Sequence, residues 1–235
     1  MYSSLLSLGE RDRVRDVMGV FERLYRSPLG RLMSPLARAA LAWTKPRMLY
    51  GYPDAVTGEF RKYTRMSSSA IIMSPERLAV GDHVWVWHYS ILDATEGLEI
   101  GEGAQIGAWV GVFTHGSESS IRLLGRRFVD IPNHERLGYT RGAVSIGPYT
   151  FIGAGSAVFP RVRVGKGCLI AASTLVTRDV PDYTILRGQP GHSVGDTREL
   201  DLKHFATHDF SETYYDAEAL DWIQERLDPL PGGGC

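Results

Sequence analysis

The chain has 235 residues, of which 43% are hydrophobic and 26 are glycine, with a formal net charge of −1 at pH 7. This apolar content suits a packed repeat protein and not a disordered chain, and the near-neutral charge gives no general attraction to nucleic acid. No apolar run reaches membrane length, no secretory apolar core precedes the charges that begin at Glu10, and two cysteines do not make a disulfide scaffold; the expectation is a cytoplasmic protein.

Residues 1–64 read as a helical N-terminal extension, with short helices over roughly 9–26 and 31–43. Each has an apolar stripe, Val14, Met18, Phe21 and Leu24 in the first and Leu32, Leu36 and Ala40 in the second. Nine Lys/Arg against four Asp/Glu over residues 1–50 would permit a peripheral contact with an acidic membrane surface. A cap over the open end of the following repeat is favoured, because a terminal coil exposes an apolar cross-section.

Between Val80 and Pro181 an aliphatic residue returns every sixth position. The series is Val80, Val86, Leu92, then Ile100, Ile106, Val112, then Ile146, Ile152, Val158, Val164, Ile170, Val176. Four residues after these stands a column of mostly small residues, including Ser90, Ala104, Thr150, Ser156, Cys168 and Thr174, with Glu96 out of place. Neither a helix (3.6) nor a free strand (2) explains a strict six, whereas a parallel β-helix buries each unit by stacking it on the next. Glycine follows the aliphatic residue at Gly81, Gly101, Gly147 and Gly165, every third repeat, so three hexapeptides make one coil of a triangular prism. The step from Leu92 to Ile100 is two residues too long, a bulge, and that from Val112 to Ile146 is 28 too long, an excursion. The β-helix is assigned to 65–186, with a loop insertion at about 118–145, and four to five coils at about 4.8 Å stand roughly 20 Å tall. Residues 187–235 form a C-terminal segment with a helix at about 216–227 and a flexible Pro/Gly tail; two Lys/Arg against eight Asp/Glu over 201–235 make it acidic.

The segment from Gly142 to Gly195, GAVSIGPYTFIGAGSAVFPRVRVGKGCLIAASTLVTRDVPDYTILRGQPGHSVG, resembles the C-terminal half of the hexapeptide-repeat acyltransferases, and most of all their sugar and polysaccharide O-acetyltransferases. The resemblance covers about residues 65–195. It implies a mainly β protein built on a left-handed parallel β-helix, a homotrimer, and acetyl-CoA as acyl donor in the groove between neighbouring prisms. It also implies a catalytic histidine just before the long loop, here His115 in VFTHGS. A neutral imidazole there can take the proton of a hydroxyl as its oxygen attacks the thioester. The run Gly153, Ala154, Gly155, Ser156 and Ala171, Ala172, Ser173 would let the pantetheine arm lie against backbone, although small residues also simply turn β-helix corners. Arg178, Pro190 and Lys166 match the family's CoA-binding end, and His192 stands where a Lys or Arg is usual.

Other residues carry alternatives. His134 and Glu118 in the excursion and the aromatic Trp109 are candidates for acceptor binding, with Trp109 equally suited to a trimer contact. Asp93 and Glu118 are carboxylates considered for orienting His115; stacking puts Asp93 beneath Phe113, and neither is assigned to orient the ring. His83 and His88 invite a γ-class carbonic-anhydrase-like zinc site, but no histidine precedes His83 to complete three ligands, so no metal is assigned. The chain therefore reads as an acetyl-CoA-dependent O-acetyltransferase acting on a sugar or glycan precursor by direct transfer. A non-catalytic trimeric scaffold or sugar-binding module, and N-acetylation of an amino sugar, are the rivals.

Overall fold

The computed structural model describes residues 45–227. The helices expected at 9–26 and 31–43, the Pro/Gly tail and Cys235 lie outside the described residues. Two strands come first, β1 (Met48–Pro53) and β2 (Phe60–Ser67), paired antiparallel with Tyr50 opposite Arg65. The expected helical extension is thus corrected over 48–64. Its aromatic-rich LYGYP and FRKYTRM stretches suit a pleated, half-buried surface, and the end of β2 is drawn into the first coil by parallel pairing of Met66 with Val86.

From there the chain winds in coils of three short strands. The first coil adds β3 (Ile71–Met73) and β4 (Leu78–Val80) to β2. The second is β5 (Trp85–Val86), β6 (Ile91–Asp93) and β7 (Leu98–Ile100). The third opens with β8 (Gln105–Ile106) and β9 (Gly111–Val112). Here the excursion departs as β10 (His115–Gly116), passes through helix α1 (Ser120–Leu124) and returns as β11 (Thr140–Arg141). The third coil closes with β12 (Val144–Ile146), and the fourth is β13 (Phe151–Ile152), β14 (Ala157–Val158) and β15 (Arg163–Val164). The fifth is β16 (Leu169–Ile170), β17 (Leu175–Val176) and a bridge from Val180 to Val164. β18 (Thr184–Arg187) begins another turn, and β19 (His192–Asp196) folds back on it antiparallel. Helices α2 (Thr197–Phe205) and α3 (Ala217–Leu227) follow.

The coils stack into three faces. Face I carries β2, β5, β8, β13, β16 and β18; face II carries β3, β6, β9, β14 and β17; face III carries β4, β7, β12 and β15. All coil-to-coil pairing is parallel, as where Ile152 stacks on Ile106 below and Ile170 above. Mainly β architecture, parallel β-helix topology and the six-residue register are as the sequence implies. The aliphatic column is the core: Val86, Leu92, Ile106, Val112, Ile152, Val158 and Ile170 are fully buried. Hydroxyls of the small column satisfy corner carbonyls, with Thr150 Oγ1 donating to Gly165 O at 2.7 Å and Ser156 Oγ to Ala171 O at 3.0 Å. The periodic glycine follows from stacking distance: a Cβ on Gly147 would lie 2.5 Å from the Lys166 nitrogen of the next coil.

Helix α3 lies where the sequence places it, whereas α2 was not foreseen. Its start is written in the chain, since Asp196 caps it by accepting from the Arg198 N–H at 2.9 Å and Glu199 sits in its first turn. Lys166 fastens this segment to the prism: its Nζ is 2.8 Å from Asp216 and 3.0 Å from Glu218, and Tyr183 donates to Asp216 at 2.6 Å.

Since each inward residue fills one layer of a shared column, Ile152→Ala should lower stability by about 2–5 kcal/mol, the range for a large-to-small change in a packed core. Urea unfolding at neutral pH checks this, and a loss below about 1 kcal/mol would show a loosely packed column.

Candidate active site

Val112 ends β9, and Phe113 and Thr114 turn the corner between faces II and III, so His115 emerges as the first residue of the excursion. The two ends of the excursion pair with each other, His115 opposite Arg141 and Gly116 opposite Thr140. The Gly142 N–H donates to Thr114 O at 2.9 Å, which closes the loop at its root. Further braces are Thr140 Oγ1 donating to the Glu118 carboxylate at 2.8 Å and the Arg136 side chain donating to Ile131 O, also at 2.8 Å.

Beneath His115 lies Asp93 from the preceding coil, its side chain 1% exposed. The Thr114 N–H and hydroxyl donate to its Oδ2 at 2.9 and 3.0 Å, and the Thr95 N–H to its Oδ1 at 3.0 Å. Burial pushes the Asp93 carboxyl upward, but the donors from Thr95 and Thr114 outweigh it and hold it below the ordinary carboxylate range. It is an anion at neutral pH. Asp93 Oδ2 stands 2.7 Å from His115 Nδ1, although Nδ1 lacks a partner in hydrogen-bonding alignment. The contact is therefore a close charge–dipole approach that a small ring rotation would convert to a hydrogen bond. Tyr139 covers one face of the imidazole at a centroid distance of 5.8 Å, and the His115 side chain keeps 24% exposure. With Nδ1 at a buried carboxylate, Nε2 is the nitrogen available to an outside reactant.

Of the remaining sequence candidates, Glu118 braces the loop root and Arg178 lies on this corner two coils on; the others lie elsewhere. Gly153, Ala154, Ala171 and Ala172 form two successive steps of the corner between faces I and II, with Ser173 N–H donating to Ala154 O at 2.9 Å. Ala154 and Ala172 are exposed; Gly153 is buried, and a Cβ there would fall 2.4 Å from the Ala172 nitrogen, so stacking alone accounts for that glycine. Pro190 is exposed on the continuation of the same corner after β18. Ser156 points into the prism, 1% exposed and bonded to Ala171 O and Thr174 N, which removes its side chain from a ligand. Lys166 belongs to the third corner, where its pairs with Asp216 and Glu218 raise its pKa, so it serves the fold and is not a free phosphate contact. Arg178 is exposed on the His115 corner two coils further on.

Among the candidates for acceptor binding, His134 is highly exposed beside Glu135, Glu118 is taken up in bracing Thr140, and Trp109 lies open on the I–II corner, 66% exposed and stacked on Tyr89. His83 and His88 occupy different corners, His83 stacked on Tyr63 and His88 Nδ1 2.6 Å from Ser67 Oγ. Among the described residues no group of three His, Cys, Asp or Glu could hold a metal ion.

Asp93 is the neighbour of His115 that the sequence leaves unassigned. Register does place it beneath Phe113, but its inward carboxylate reaches Thr114 and then the ring of His115. The available signal was the residue type: positions after the aliphatic column on this face are Phe113, Phe159 and Thr177, and an acid there is expensive to bury without a partner.

No protein-family model matches the chain. It is 31% identical over 124 residues to serine acetyltransferase 2 of Arabidopsis thaliana, covering 51% of this chain and 34% of that protein. To "Probable acetyltransferase Rv3034c" of Mycobacterium tuberculosis it is 24% identical over 149 residues, covering 62% of this chain and 46% of the relative. The relatives that the chain resembles in sequence are thus named acetyltransferases. Among solved structures, a maltose O-acetyltransferase from Clostridium difficile 630 matches with a TM-score of 0.47 at 20% identity, over 55% of this chain and 64% of that one. The chain spans less than half the length of the two curated acetyltransferases.

Because the folded carboxyl of Asp93 lies below its unfolded value, it contributes stability above the ordinary carboxylate pKa near 4, and that contribution is lost as pH falls through the folded value. Asp93→Asn should therefore lose less of its denaturation midpoint than the parent between pH 7 and pH 3. Urea titrations at both pH values provide the comparison, and equal losses would show that the Thr95 and Thr114 contacts are not linked to folding.

Proposed function

We propose that the chain is an acetyl-CoA-dependent O-acetyltransferase that modifies a hydroxyl of a sugar or glycan precursor by direct transfer. The observation that carries this reading is the His115–Asp93 pair, an imidazole with a buried, ionised carboxylate 2.7 Å from Nδ1, at the root of a 28-residue excursion able to shape an acceptor pocket. Nε2 takes the proton of the acceptor hydroxyl while its oxygen attacks the thioester carbonyl, and the tetrahedral intermediate expels the CoA thiolate. The thiolate recovers that proton from the imidazolium, leaving an acetyl ester and free CoA. Asp93 stabilises the imidazolium and fixes the ring without itself taking a proton. No acyl-enzyme is needed.

On this reading acetyl-CoA lies along the I–II corner, its pantetheine arm against Ala154, Ala171 and Ala172 and its adenine end toward Pro190. Within one protomer, face II separates this corner from His115. A homotrimer, in which one protomer's I–II corner meets the neighbour's His115 corner, is proposed for that reason. Arg178, exposed on the His115 corner, would then meet the phosphates of the CoA that the neighbour holds. The reaction is placed in the cytoplasm, where acetyl-CoA is made.

Replacing His115 with Ala should lower kcat about 10²–10⁴-fold, the usual worth of a positioned general base, while CoA still raises the melting temperature. Acetyl-CoA turnover with a panel of sugars and amino sugars as acceptors reads this out, and unimpaired turnover in the variant would remove the assignment. Arg178→Ala should raise the acetyl-CoA KM more than it lowers kcat, and an unchanged KM would take Arg178 out of the donor site.

A further inference from the structure

A large hollow on the described surface lies away from the donor corner. It is a groove of about 710 Å³ along face III, lined by Arg77, Gly97, Glu99, Ala143, Arg161 and Arg163 among others. Its floor is low because Ala79 and Ser145 stand where successive coils point outward, and its rim is cationic, with three arginines against the single acid Glu99. The arginines are set in place by backbone. Arg161 Nε donates to Arg141 O at 2.8 Å, and its stem lies over Gly142, where a Cβ would fall 2.2 Å from Arg161 Cγ. Arg77 Nη1 donates to Thr95 O.

None of the three has a carboxylate within 4 Å among the described residues, whereas Arg61, Arg141, Lys166 and Arg198 each do. All three are exposed, and they line one hollow without an ion pair. Like charges held together repel unless an anion joins them, and a guanidinium with free Nη groups binds a phosphate by two parallel hydrogen bonds. The groove also reaches the catalytic corner. Gly97 O accepts the Val144 N–H at 3.1 Å, and Ala143 is two residues from Arg141, which lies opposite His115 across the β10–β11 pair.

We propose that the face III groove is a phosphate subsite for the acceptor, so that the sugar brought to His115 is a glycosyl phosphate or diphosphate and not a free sugar. The phosphate lies between Arg161 and Arg163, and Glu99 and Ser145 offer hydrogen-bonding partners for sugar hydroxyls. This rests on the acyl-transfer reading above. Phosphate esters on CoA share the same chemistry, so the test separates the two sources.

Titration calorimetry on the full chain would use glucose 1-phosphate, UDP-glucose and glucose as probes, with CoA and 3′-dephospho-CoA run in parallel. The two phosphorylated probes should bind and glucose should not, and Arg161→Ala/Arg163→Ala should weaken both by about tenfold or more, the scale of charge-assisted bonds, leaving both CoA forms unaffected. Arg163→Ala, an exposed residue whose loss should not disturb folding, should show a weakening of about threefold and keeps the test decisive if the double variant does not fold. Absence of binding by the phosphorylated probes, or equal binding to parent and variants, overturns the proposal. So does a variant that loses affinity for CoA but not for dephospho-CoA, which would give the groove to the donor. Failure of the acyl-transfer reading has a different signature, an absence of CoA binding and turnover in the parent protein.

Discussion

Everything in this molecule hangs on one repeated contact, an aliphatic side chain resting on its counterpart one coil away. A two- or three-residue strand has almost no stability alone, and each coil gains its core only from the coils on either side. Ile152 between Ile106 and Ile170 is typical: no exposed surface, and parallel partners on both sides. The contact forces each corner into nearly the same backbone path as the one beneath it, which is why glycine is needed where a Cβ on Gly147 or Gly153 would strike the next coil's backbone.

Stacked corners also explain how the Asp93–His115 contact is built from residues 22 positions apart in the chain. Asp93 and His115 leave the same corner in successive coils, so the coil spacing brings carboxylate and imidazole together without any dedicated scaffold. The extra residues between them are what the register must absorb. Part is the two-residue bulge after Asp93, where Thr95 turns its N–H to the carboxylate and the Glu96 N–H takes the Thr114 hydroxyl as acceptor. Bulge and excursion thus occur at one corner because both serve the same buried acid.

What the sequence could disclose follows from the same physics. A strict period of six is visible because every inward position faces the same requirement, so coil number, the three faces, the bulge and the excursion were legible from Val80, Val86, Leu92 and their successors. The amphipathic run at 217–227 was legible for the ordinary helical reason. The β1–β2 hairpin was not, because its strands answer to a terminal coil and to each other and share no repeat. Nor were the roles of Asp93, Ser156 and Lys166, because a side chain's direction at a corner depends on local turns that a six-residue count ignores. Ser156 turns inward to a carbonyl and Lys166 outward to Asp216, although the small-residue run and the family resemblance offered them as cofactor contacts.

The corners themselves show how strongly stacking overrides local preference. His83, Tyr89, Trp109, Tyr149 and Tyr183 all adopt positive φ between 52° and 62°, a region that disfavours bulky residues by something on the order of 1 kcal/mol each. Equivalent steps in other coils use Gly103, Gly155 and Gly167 for the same turn. A free hexapeptide would refuse these aromatics, but here the coil above and the coil below fix the turn before the side chain has a say. His83 then rests on Tyr63, Tyr149 on Tyr215, and Tyr183 reaches Asp216, each recovering part of the strain through a contact. Tyr89 and Trp109 stack on each other at 6.1 Å, nearly parallel, and both remain more than half exposed. The prism can hold such residues only because its stability comes from inside; the outer surface of each corner is thereby released from folding and left open to chemistry.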